Sequence, residues 1–481
     1  MNDRKPPGGR APAAGADELQ AFRERHPDID AVQLLITDPS GVPRGKSVRV
    51  HELERLYCSG RHVAGSILGL DVTGVDVEAT GLVWQSGDAD LVCHPVPGTL
   101  LPSPWLAKPT GQLMLTMHHE DGRPAAADPR HALERAVHRL EAASGLRTVF
   151  ACEIEFYLLR DEDPPGREAG VPGDRGYGAP RLVPAGGGRQ GERAKIDAYG
   201  LTRLDDLAPL FDDVYAAAKA QGLPAETLMA EYAPGQFEIT LAHRRDALRA
   251  VDEAIAFKRL LRGVAAKHGC IATFMAKPFA ALAGSGLHLH VSLEDAAGRN
   301  AFAADDPAGS EACRHAIGGL QATMAESLLA FAPNANSYRR FRSQSYAPTA
   351  PSWGVNNRSV SLRVPAGPPG SRHVEHRVAG ADANPYVAAA VVLAGVAHGL
   401  RHRIDPGAPV TGNGYAAAQD PRAALPATWQ AAIERAVASP FLADALGEEF
   451  LKVFLAIKRQ ECDRFMAEVT ELDYAWYLRS V

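Results

Sequence analysis

The stretch FACEIEFY, residues 150–157, decides the fold. Phe150, Cys152, Ile154 and Phe156 alternate with Ala151, Glu153, Glu155 and Tyr157. Side chains two apart on a strand share a face. The pattern predicts a strand with one apolar face for a core and one face carrying two adjacent glutamates. The same alternation returns in 236–240, 287–292 and 359–364, whose polar faces carry Glu238, then His288 and His290, then Ser361 and Arg363. In 373–378, His373, Glu375 and Arg377 share a face. Any one of these reads as a half-solvated antiparallel strand. Together they gather like charges, which repel unless a cation lies between them. Carboxylates with a histidine suit Mg2+ or Mn2+, and arginines suit phosphate or carboxylate.

Outward from this sheet, the chain divides near residue 125. Asp128 is placed to cap a helix, Pro129 suits its first position, and Gly145 suits its end. Leu133, Val137 and Leu140 supply its buried stripe. Further helices are expected at 205–221, 246–268, 311–331, 384–402, 427–437 and 443–468. Upstream, Ala31–Thr37 and Lys46–Val50 read as strands about an Asp38-Pro39-Ser40-Gly41 turn. Residues 1–27, which open Pro-, Gly- and Ala-rich, are expected to form a disordered tail. The insert at about 161–198 lacks periodicity and reads as a loop. Its Gly186-Gly187-Gly188 run lacks the Lys-Ser/Thr of a phosphate loop.

At 481 residues there is room for two domains. A formal charge of −6 gives no nucleic-acid footprint. The six cysteines show no CxxC spacing, so free thiols are expected. The longest apolar stretch, Val387 to Leu400, is too short to span a bilayer. A cytoplasmic protein without membrane partners is the expectation.

At these residues the chain resembles the glutamine synthetase family, from about residue 28 to the C-terminus. ACEIEFYL (151–158), AEYAPGQFEIT (230–240), FMAKP (274–278), GSGLHLHVSL (284–293), NSYRRF (336–341), NNRSVSLRVP (356–365), VEHR (374–377) and ADANPY (381–386) carry the resemblance. Several look closest to the branch that γ-glutamylates putrescine and related polyamines. The resemblance implies an α+β fold: a β-grasp domain over 28–125, then a catalytic domain over 126–481 with a curved antiparallel sheet flanked by helices. It implies a ring-shaped homo-oligomer, usually a dodecamer, with active sites between subunits. It further implies ATP as a substrate and two Mg2+ or Mn2+ per site. Glu155, Glu231 and Glu238 match the ligands of one metal, and Glu153, His288 and Glu375 those of the other. Arg340 and Arg377 match the arginines that grip L-glutamate, with Gly284 in the substrate loop. Arg358 and Arg363 match arginines facing the phosphates, and with Arg340 form the catalytic set. Glu226, His290 and Ser292 match nucleotide contacts.

The sequence departs from that pattern at the amine end. Ammonia-using members carry a flap glutamate where Tyr346 stands, and an aspartate of a DGSS motif where Ala64 stands in Val63-Ala64-Gly65-Ser66. Ala283 replaces the asparagine expected before Gly284. Loss of both acids disfavours ammonia and leaves room for a primary amine with a carbon tail, putrescine first. Ethanolamine, or ammonia held by another acid, are the alternatives. Tyr346 and Ala64 are the candidate amine pocket, and Asp71, Asp76 and Glu78 are possible partners for a second ammonium. A non-catalytic scaffold relative is disfavoured, because all six ligand positions and Arg340, Arg358, Arg363 and Arg377 are intact. His118, His119 and His376 read as surface or packing residues. Arg339, Arg342 and Arg372 read equally as phosphate contacts or solvated charges.

Overall fold

The computed structural model describes residues 13–161, 182–185, 196–416 and 424–481. Two sheets organise it. The smaller has six strands, with Ala31–Thr37 paired antiparallel to Pro43–Arg49 and parallel to Thr110–His118. Between the first two, Asp38 Oδ1 accepts the Ser40 and Val42 amides at 2.9 Å, and Gly41 takes φ 80°. A left-handed residue there costs glycine little. Apolar side chains of this sheet, such as Val32, Leu34 and Leu113, share a core with Val453 and Ile457 from the far end of the chain.

One expectation is corrected here. A helix, Ala13–Arg25, stands inside the stretch read as a disordered tail. It buries Leu19 and Phe22 in the core of the smaller sheet. Glu18 Oε1 accepts the Gly98 and Leu100 amides at 3.0 and 3.1 Å. A short helix of this kind is held by tertiary packing rather than local propensity, so composition does not reveal it.

The helix Pro129–Ser144 follows. Asp128 caps it through the Arg130 amide at 2.9 Å, and Gly145 ends it in the left-handed region at φ 69°. Its stripe, Leu133, Val137 and Leu140, is buried. Asp128 also accepts the Met117 amide at 2.9 Å, tying the helix to the smaller sheet.

Among the described residues, the larger sheet has nine strands. Its centre is Arg147–Asp161, flanked antiparallel by Gln236–Leu241 and Leu287–Glu294. Beyond the latter lie Val374–His376, Leu362–Val364 and Trp353–Val355. The last two run parallel, so the sheet is mixed at that edge. Phe150, Cys152, Ile154 and Phe156 are buried in the main core, which the helices Ala247–Lys267 and Pro385–His402 help to form. Two strands are shorter than the alternation predicts. Asn357 accepts the Ser359 amide at 3.0 Å, so a turn replaces the start of 359–364. Val374–His376 is the regular part of 373–378. The long helices expected at 311–331 and 443–468 are each interrupted, the second at Gly447 with φ 86°. Within the insert, Leu182–Pro184 pairs with Leu159–Asp161. The Gly186–Gly188 run lies outside the described residues. Among the described residues, no helix is long and apolar enough to cross a membrane.

Candidate active site

Strand register brings the acidic residues together. Glu238 lies opposite Glu155, and His288 opposite Glu153. His290 lies opposite Glu375, which is opposite Arg363 on its other side. Glu231 enters from the turn that precedes Gln236, held by the hydrogen bond from its amide to the Gln236 carbonyl at 2.9 Å. Three donor groups result, each with ligand atoms within 4.8 Å of one another: Glu155 with Glu231 and Glu238, Glu153 with Glu238 and His288, and Glu153 with His290 and Glu375.

The electrostatics of this cluster call for a cation. Burial, then the charges of Glu153, Glu155 and Glu231, pushes the Glu238 carboxyl up to about 11. Burial and Glu155 push Glu231 up to about 7, while the exposed Arg358 draws it back. Burial acts upward on Glu153 too, but hydrogen bonds from His288 (2.5 Å) and His290 outweigh it and hold this carboxyl well below its ordinary range. Glu375 follows the same logic: burial raises it, and Arg377, His290 and His288 bring it down to about 2. Arg363 Nη1 donates to Glu375 Oε2 at 2.7 Å, and Arg377 pairs with the other oxygen. The Nε atoms of Arg363 and Arg377 are buried with no hydrogen-bond partner, so both arginines retain a donor for an anion. Hard oxygen donors with an imidazole fit Mg2+ or Mn2+ at the acidic groups. The residues present therefore fit divalent cations.

Two cavities meet this cluster. One, of about 430 Å3, touches Glu153 and His290 and is lined by Glu226, Ser292, Asn300 and His373. It gathers Glu226, His290 and Ser292 of the residues assigned to ATP by resemblance, while Arg358 and Arg363 line neither this cavity nor the next. The other, of about 450 Å3, touches Glu155, Glu231 and His288 and is lined by Gly284, Arg340, Arg377 and Tyr346. Arg340 is buried, and its guanidinium donates to the Val378 carbonyl at 2.8 Å and the Arg377 carbonyl at 3.2 Å. Those bonds use two of its five N–H groups, leaving three for a ligand. Gly284 packs so closely on the Arg340 side chain that a Cβ there would lie 2.8 Å from its Cγ.

Not every candidate reaches these cavities. Ala64 ends the strand Arg61–Ala64 of the smaller sheet, opposite Asp90, and lines neither cavity of the chain. Asp71 is buried and committed to the Thr73 and Val75 amides and to Arg464, so it is not free to hold a ligand. Arg339, Arg342 and Arg372 line neither cavity. His376 is buried against the Phe331 ring, a packing residue.

Several residues that shape the site carry no role in the sequence reading. Gln236 Nε2 donates to the Gly284 carbonyl at 2.9 Å and approaches Glu155 at 3.4 Å. Tyr157 donates its hydroxyl to the Ala283 carbonyl at 2.7 Å. His373 contacts His290 at 3.1 Å and the Ser371 carbonyl at 2.7 Å. The period-two faces contain the signal for all three, since Gln236 shares a face with Glu238, Tyr157 with Glu155 and His373 with Glu375.

Comparison with known proteins identifies the family. The profile of the glutamine synthetase catalytic domain matches residues 126–477. The chain is 38% identical to the gamma-glutamylputrescine synthetase PuuA of Escherichia coli (strain K12), over 98% of this chain and 96% of that protein. It is 32% identical to a glutamate–isopropylamine ligase of Pseudomonas sp, over 96% and 97%. Among solved structures, one titled as a complex of GmaS with ADP superposes with a TM-score of 0.78 at 28% identity, covering 96% of this chain and 99% of that one.

Proposed function

The chain belongs to the glutamine synthetase family, and from that premise we propose that it is an ATP-dependent ligase joining the γ-carboxylate of L-glutamate to a primary amine, putrescine or a related polyamine. The observation that carries this reading is the placement of the acidic cluster between two unlike cavities. One offers Arg340 and Arg377 for a dicarboxylate, and the other offers Glu226, His290 and Ser292 for a nucleotide.

A carboxylate is a poor electrophile, and bringing it against a triphosphate sets anion against anion. Glu155, Glu231 and Glu238 would hold one divalent ion, and Glu153, His288 and Glu375 the other. Ions bound there supply positive charge between the γ-phosphate and the γ-carboxylate. Arg340 and Arg377 orient glutamate, while Arg358 and Arg363 face the phosphates and stabilise the charge that spreads during transfer. A γ-carboxylate oxygen attacks the γ-phosphorus, ADP leaves, and γ-glutamyl phosphate forms. The amine nitrogen then attacks the acyl carbon, inorganic phosphate leaves, and the amine gives up one proton. Tyr346, and Ala64 delivered by a neighbouring subunit of a ring-shaped oligomer, stand where ammonia-using relatives need acids, so a substituted amine is accommodated.

An amine panel with ATP, glutamate and Mg2+ tests the reading. Phosphate release is expected with putrescine, to a lesser degree with ethanolamine or isopropylamine, and least with ammonia. Glu155→Ala, run alongside, is expected to abolish it. Turnover with ammonia and with no alkylamine would sink the proposal.

A further inference from the structure

The cavity that holds Arg340 and Arg377 is lined by groups of distinct chemistry. Its cations are Arg340, Arg377 and Lys277, and its acids are Glu155 and Glu231. Lys277 donates its ammonium to the Leu282 carbonyl, so it is spent on the loop that closes the wall. The aliphatic lining is small, apart from Leu282: Ala281, Ala283 and Ala347. Beside the polar Gln236, His288, Gln344 and Ser345, the lining holds two phenol rings, Tyr232 and Tyr346, 50% and 63% exposed.

An exposed tyrosine is ordinary on a protein surface. Tyr232 differs in how it is held. It directly follows Glu231, and its amide donates to Glu231 Oε2 at 3.2 Å. The alanines on either side of this pair, Ala230 and Ala233, are both buried at 1% exposure. The Gln236 amide donates to the Ala233 carbonyl at 3.1 Å, and the Gln236 carbonyl accepts from Glu231. The backbone is therefore fastened on both sides of Tyr232, which lines the cavity from a tight turn. It sits one residue from Glu231, a carboxylate of the acidic cluster, in the cavity that Arg340, Arg377 and Tyr346 also line. Ammonia has no use for an aromatic surface at that point. An amine with a methylene tail does, because a ring face shelters CH2 groups from water and attracts an ammonium.

We propose that Tyr232 is a specificity-determining residue of this chain: its ring, with that of Tyr346, receives the carbon tail of the acceptor amine. The proposal rests on the glutamate–amine ligase reading and names the group that distinguishes a tailed amine from ammonia. Tyr232 acts on the tail, so its effect grows with tail length.

The test is a chain-length series from methylamine to butylamine, measured as kcat/KM with saturating ATP and glutamate in wild type, Tyr232→Ala and Tyr232→Phe. In wild type kcat/KM is expected to rise by up to about fourfold per methylene sheltered. In Tyr232→Ala the rise is expected to fall below about twofold per methylene, and in Tyr232→Phe to persist, because the ring face and not the hydroxyl carries the contact. A general folding defect lowers all amines alike and leaves the slope as in wild type. An unchanged slope in Tyr232→Ala, or equal flattening in Tyr232→Phe, overturns the proposal. Wild-type turnover with ammonia and with no alkylamine would instead show that the ligase reading itself is wrong.

Discussion

Lys258 is a cation placed where charge is costly. It is 9% exposed, its Nζ donates to the Ala381 carbonyl at 2.8 Å, and it lies 4.7 Å from the centroid of the Phe274 ring. Burial, then the nearby Arg262, brings its pKa down to about 7, against a pull the other way from Asp382 and Cys152. The sign of the consequence is fixed. Between about 7 and the ordinary 10.5, the unfolded chain binds this proton and the folded chain does not. Stability is then fullest above that window, is lost as pH falls through it, and levels off near 7, with a slope of at most about 1.4 kcal/mol per pH unit. Urea unfolding at several pH values between 7 and 10 should show a slope that Lys258→Met flattens. Parallel slopes in the two proteins would refute the assignment. Nothing in the local sequence marks Lys258 as buried, because the charge is enclosed by Phe274 and Ala381 from distant segments. Glu153, Glu155, Glu238 and His288 are the opposite case. Their shared face follows from an alternation that a strand imposes locally, so it could be read directly. Glu231 lies on a turn, where no period applies, and only the family resemblance singled it out.

Elements were legible where their signals are local. Asp128, Pro129 and Gly145 act at the positions where capping chemistry puts them. The break at Gly447 and the turn at Asn357 were missed, since the apolar pattern runs across both. The approach of the helices Glu311–Thr323 and Pro385–His402 was also hidden. Gly319, Gly395 and Gly399 line that contact, and a Cβ on Gly399 would lie 2.0 Å from the His315 carbonyl oxygen. Neither backbone can yield without parting the helices, because both are built into the main core. Gly399→Ala is therefore expected to cost about 1–3 kcal/mol or more, despite its better helix propensity. Thermal unfolding measures it. A variant as stable as wild type would mean that the helices separate freely and that the small-residue seam is incidental. Asp382 shows a second tertiary device. It accepts from Asn334 at 2.8 Å and Ser337 at 2.7 Å, which fastens the NSYRRF turn that leads to Arg340.

At the scale of the whole molecule, the helix Glu448–Ala467 joins the two sheets. Val453 and Ile457 enter the core of the smaller one. Glu461 accepts the Val72 amide at 2.8 Å, Lys458 reaches Ser40 at 3.0 Å, and Arg464 pairs with Asp71. From the larger sheet's side, Asn384 donates to the Asp38 and Pro39 carbonyls at 3.1 Å. Beyond Ala467 the chemistry changes abruptly. Val469, Leu472, Tyr474, Trp476, Tyr477 and Leu478 are all exposed, the last at 67%. Single exposed apolar residues need no explanation, but a run of them at one end of the chain is a surface that water disfavours. The ring-shaped oligomer proposed for this chain would supply a cover, namely another copy of the chain. Ending the chain at Ala467 should then leave both cores and the joining helix intact while reducing the assembly. Light scattering of the full-length protein should give a mass several times that of the 51.2 kDa chain, and the truncated form a smaller multiple. Far-ultraviolet circular dichroism should stay close to that of the full-length protein. An unchanged mass would show that the apolar tail is not what holds the subunits together.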